Sequence, residues 1–145
     1  MDKLLGCGCN DLQRDIDNLR KYNMQLVMGN VSLIDSWLDA GFKKENIRIG
    51  LSEETYKSDV DISISKGVYE FYIDEPIRWN KHEFVKKSSE YIAEKGGFLT
   101  ISESCFSPFD WWFRRSKSTI AQMLKLAKQC KVHTYVSCHT HYDLF

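Results

Sequence analysis

Apolar positions along the chain fall into two alternating rhythms. Short runs of β-branched and aromatic residues read as strands, and between them apolar residues recur three and four apart, as on one face of a helix. Residues 68–73 are almost all β-branched or aromatic, which predicts a strand buried on both faces. Pro76 has no N–H to donate and ends that ladder. Further strands are predicted at 24–28, 47–51, 98–101 and 132–138, the one at 98–101 also buried, with a short first strand at 3–5. Helical faces are formed by Leu12, Ile16 and Leu19, extending to Tyr22; by Leu33, Ile34, Trp37 and Leu38; by Phe84, Val85, Tyr91 and Ile92; and by Ile120, Met123, Leu124 and Ala127. Asn10 with Gln13, and Asn80 with Glu83, have capping-box spacing, and Ser116 is placed to cap a helix over 117–129. Gly41 stands where a helix end takes the left-handed conformation. Val60, Ile62 and Ile64 alternate with polar residues and predict an exposed strand, with a short irregular helix as the alternative.

Strands and helices alternate at the spacing of βα units. The predicted fold is one α/β domain over residues 1–145, a mostly parallel β-sheet with helices packed over it. Two architectures fit: a doubly wound sandwich, or part of a TIM-type (β/α)8 barrel, which needs about 250 residues when complete.

Sites in parallel sheets form outside the carboxyl ends of the strands. Asp74 and Glu75 follow the strand at 68–73, Glu103 follows that at 98–101, and Glu53 and Glu54 follow that at 47–51. Neighbouring strands lie about 4.8 Å apart. Glycoside hydrolysis needs two carboxyl groups about 5–5.5 Å apart for retention, or about 6.5–9.5 Å for inversion. Carboxylates one or two strands apart meet either requirement, and crowding raises the pKa of one toward that of a general acid. Trp79, Trp111 and Trp112 supply apolar platforms of the kind a sugar face needs. Against this, strand-end carboxylates also solvate loops, and tryptophans also pack beneath long connections.

The segment YEFYIDEP, followed one βα unit later by LTISES, resembles the glycoside-hydrolase type of (β/α)8 barrel. The resemblance implies an acid/base at Glu75, at the end of the fourth strand, with Glu103 as its nearest partner and Asp74 beside them. Asp74 stands where those families commonly carry asparagine. The strands that would hold a late nucleophile have no counterpart here.

Three other features change the picture less. His139, His141 and Asp143 form HxHxD, which resembles the zinc motif of metallo-β-lactamase-type hydrolases, but Leu144 replaces the histidine expected next. Residues 6–10 read as a tight turn carrying Cys7 and Cys9, with a redox or metal pair as the lesser reading; Asp11 takes the place of the third glycine of a dinucleotide fingerprint. Phe106, Phe109, Trp111, Trp112 and Phe113 crowd one connection, as residues that cover a sheet, line a pocket or dock a partner do.

Lys plus Arg equals Asp plus Glu at 20 each, so no basic excess draws the chain to nucleic acid. No apolar run is long enough to span a bilayer, so no membrane partner is expected. Five cysteines without a CxxC pair suit free thiols in a reducing, cytoplasmic setting. No cofactor is expected. The leading expectation is a soluble, carbohydrate-active hydrolase, or a relic of one. Its rival is a non-catalytic module that forms oligomers or binds another chain through its aromatic loop and open sheet edges. A metal-dependent hydrolase ranks third.

Overall fold

A computed structural model of the chain describes residues 6–8, 12–21, 23, 25–103 and 113–137. Strands β1 (Gly6–Gly8), β2 (Leu26–Gly29), β3 (Ile47–Gly50), β4 (Glu70–Asp74), β5 (Phe98–Glu103) and β6 (Thr134–Ser137) alternate with helices. The helices are α1 (Leu12–Lys21), α2 (Ile34–Asp39), α3 (Tyr56–Ser65), α4 (His82–Glu94) and α5 (Phe113–Gln129). Contacts divide the chain into two compact units, Met1–Phe71 and Tyr72–Phe145. Among the described residues no helix is long and apolar enough to cross a membrane.

In the first unit β1 pairs with β2 and β2 with β3, both parallel, with Cys7 opposite Val27 and Met28 opposite Arg48. Its core is Leu19, Val27, Ile34, Trp37, Ile47, Ile49, Val60 and Phe71, all fully buried. Arg48 turns to the other face of β3 and donates from Nε to Glu70 Oε2 at 2.6 Å. Helix α2 ends as expected at Gly41, whose φ of 89° lets its N–H reach Leu38 O at 2.9 Å while Phe42 N–H reaches Trp37 O at 3.0 Å. Two expectations are corrected here. Gly6–Gly8, read as part of a turn, form β1, while residues 3–5 and Asn10 lie outside the described residues. The exposed strand over 60–64 is instead helix α3, the alternative reading. Val60 and Ser63, three apart, form its buried side, and Ile62 is left exposed. Parallel neighbours need a crossover connection between them, most often a helix.

In the second unit β5 pairs parallel with β6, Ile101 opposite Tyr135, and the end of β4 meets β5 where Glu75 N–H donates to Ser102 O at 2.8 Å. The strand buried on both faces is β5, from Leu99 to its last residue, and not β4. Only Phe71 and Ile73 of β4 point inward, Glu70 and Tyr72 are half-buried, and Tyr69 just before it is 43 % exposed. Helix α4 buries Phe84, Val85, Ser88, Ser89 and Ile92. It starts after Lys81 with no side-chain cap, because Asn80 takes a φ of 52°, so the expected Asn80–Glu83 box does not form. Helix α5 already begins at Phe113, which puts Ser116 inside it rather than at its cap.

Neighbouring strands follow chain order within each unit, β1 to β3 in the first and the end of β4 to β6 in the second.

Candidate active site at the ends of the fourth and fifth strands

Strand β4 delivers Asp74 and Glu75, and its neighbour β5 delivers Ser102 and Glu103. Ser102 Oγ donates to Asp74 Oδ1 at 2.7 Å, so the acidic ends of both strands lie on one edge, as the sequence predicted for Asp74 and Glu103. Asp74 is exposed, whereas Glu75 is 6 % and Glu103 only 1 % exposed.

Beyond Asp74 the backbone leaves the ladder abruptly. Glu75 has a φ of 47°, a left-handed conformation that costs a residue other than glycine on the order of 1–3 kcal/mol. Residues 76–80 then form a tight turn, closed by Trp79 N–H to Glu75 O at 3.1 Å and Lys81 N–H to Pro76 O at 2.8 Å. Two carboxyl groups hold it in place. Arg78 Nη1 lies 2.9 and 3.1 Å from the two oxygens of Glu75, and Trp79 Nε1 donates to Glu75 Oε2 at 3.0 Å. Glu103 Oε2 accepts the backbone N–H of Ile77 at 2.9 Å. The Arg78 guanidinium also lies over the Trp79 ring, 5.2 Å from its centroid, within cation–π range.

The two glutamates therefore occupy opposite surroundings. N–H groups of Arg78 and Trp79 converge on Glu75, the setting of a charged carboxylate. Burial pushes the Glu103 carboxyl above the usual range. The backbone N–H groups of Ile77 and Arg78 pull it back, and the charges of Glu75 and Asp74 add to the rise. Burial, with the Asp74 charge behind it, likewise raises the phenol of Tyr72.

Of the other expected site residues, Trp79 is 59 % exposed beside this pair. Glu53 and Glu54 lie in the first unit, exposed in the turn after β3. Trp111, Trp112, His139, His141 and Asp143 lie outside the described residues, as does Cys9. Among the described residues no group of three or more His, Cys, Asp or Glu is placed to hold a metal ion. Sequence reasoning missed Arg78 and Ser102. The one signal for Arg78 was its place three residues after Glu75; Ser102 offered none beyond adjoining Glu103. The chain matches no protein-family model and no curated protein.

Proposed function

We propose that the chain is a paired-carboxylate hydrolase acting on glycosides, with Glu103 as proton carrier and Glu75 as its charged partner. The observation that carries this reading is the contrast between two buried glutamates at neighbouring strand ends, one ion-paired and one with a raised pKa. Environments that separate two carboxyl groups in this way assign acid and base roles. The resemblance had given the acid/base role to Glu75. The guanidinium on both its oxygens favours moving that role to Glu103. Glu103 would protonate the leaving oxygen as the glycosidic bond breaks, Glu75 would stabilise positive charge developing at the sugar carbon, a water would add to that carbon and return its proton to Glu103, and Trp79 would offer its exposed ring to the sugar face.

A screen of aryl glycosides tests the proposal. Turnover that falls about 10²- to 10⁴-fold in Glu103→Gln, with the thermal transition retained, is the expected result. A screen without turnover counts against it.

A second reading is favoured by the same contacts. Both carboxyl groups accept hydrogen bonds from the turn at 76–80, as they would in a non-catalytic assembly module where they only fix that turn. Sedimentation of Trp111→Ala and Trp112→Ala then decides. Loss of self-association with no glycosidase activity in the parent chain supports the module, because aromatic anchors dominate interface energetics.

A further inference from the structure

We propose that the turn at residues 76–80 is a lid over Glu75 and Glu103 with Arg78 as its latch, an inference that rests on the paired-carboxylate reading. Both hinge positions are left-handed: Glu75 has a φ of 47°, which is strained for a glutamate, and Asn80 has a φ of 52°, which asparagine adopts readily. A strained conformation persists only where its surroundings hold it. What holds this turn down is the pair of carboxyl groups, through Ile77 N–H to Glu103 and through Arg78 and Trp79 to Glu75. Little apolar burial assists them, since Arg78, Trp79 and Asn80 are exposed, Ile77 is half-buried and only Pro76 is buried. A ligand that donates hydrogen bonds to Glu75 and Glu103 must displace the groups that tie the turn to them. Releasing the turn in exchange relaxes the backbone at Glu75. Occupancy of the site and opening of the lid are therefore coupled through the same oxygens, in the manner of loops that open locally while the core stays folded.

Native-state hydrogen exchange on the full chain tests this. The Ile77 amide should exchange through local opening, faster than the His133 amide, which is bonded to Leu99 O at 2.9 Å, and than the amides of the β5–β6 ladder. Arg78→Ala should accelerate Ile77 by about tenfold or more and leave His133 and the ladder unchanged. Arg78→Lys, which keeps the charge but loses the guanidinium over the Trp79 ring, should fall between. Ile77 exchanging in step with the ladder, in the parent chain and in Arg78→Ala alike, would overturn the lid. Fast local exchange at Ile77 joined to a silent glycoside screen would keep the lid and reject the hydrolase, so the two ideas fail separately.

Discussion

Burial raises the pKa of Glu103, with the charges of Glu75 and Asp74 adding to the rise and the amides of Ile77 and Arg78 opposing it. The folded chain therefore binds a proton that the unfolded chain has released, in a window that opens near the ordinary value of 4.5 and closes at the raised folded value. Stability must fall as pH rises through that window, because the folded state holds more protons there. Glu103→Gln removes the titration and keeps an acceptor for Ile77 N–H. Its stability relative to the parent chain should climb as pH rises from about 4.5 and then level off. Urea unfolding at stepped pH checks this, and a flat difference would contradict the environment described for Glu103. Ser102 offers a second residue-scale check. Its hydroxyl serves Asp74 from a buried position, so Ser102→Ala should cost about 1 kcal/mol in the same measurement.

Among the elements, β5 is the strand on which the second unit depends. Leu99 and Ile101 are fully buried, and Leu99→Ala or Ile101→Ala should cost about 2–5 kcal/mol in chemical denaturation. Tyr69→Ser, at the exposed start of β4, should cost far less than either. The sequence pointed to β4 as the strand buried on both faces because tyrosine counts as an aromatic strand former. Yet Tyr69 and Tyr72 carry hydroxyls that favour partly wet positions, and the small residues Thr100 and Ser102 let β5 be covered on both sides. Helix α3 was ambiguous for a different reason. Three apolar residues at 60, 62 and 64 fit a period of two as well as part of a helical face, and the need for a crossover between parallel strands decides the matter. The end of α2 was legible, since the left-handed turn there suits glycine. Gly41→Ala should cost about 1 kcal/mol, although a β-carbon there would meet no neighbouring atom within 4 Å.

For the molecule as a whole, alternating strands and helices were readable from hydrophobic rhythm alone, and the edge carrying Asp74, Glu75 and Glu103 followed from them. In a parallel sheet every strand delivers its last residues to the same side, so topology locates that edge without side-chain detail. The contacts of Arg78 and Trp79 with Glu75 were not readable, because they depend on left-handed backbone at Glu75 and Asn80 that no propensity foretells. The proposed step is donation of a proton by Glu103 to a departing sugar oxygen. It is tested most directly by comparing the parent chain and Glu103→Gln on two aryl glycosides that differ in the acidity of the leaving phenol. An unsubstituted phenol needs the proton to leave, and a dinitrophenol does not. Glu103→Gln should slow release of phenol by about 10²- to 10⁴-fold and release of dinitrophenol far less. Equal loss on both substrates, or no turnover of either by the parent chain, would contradict it.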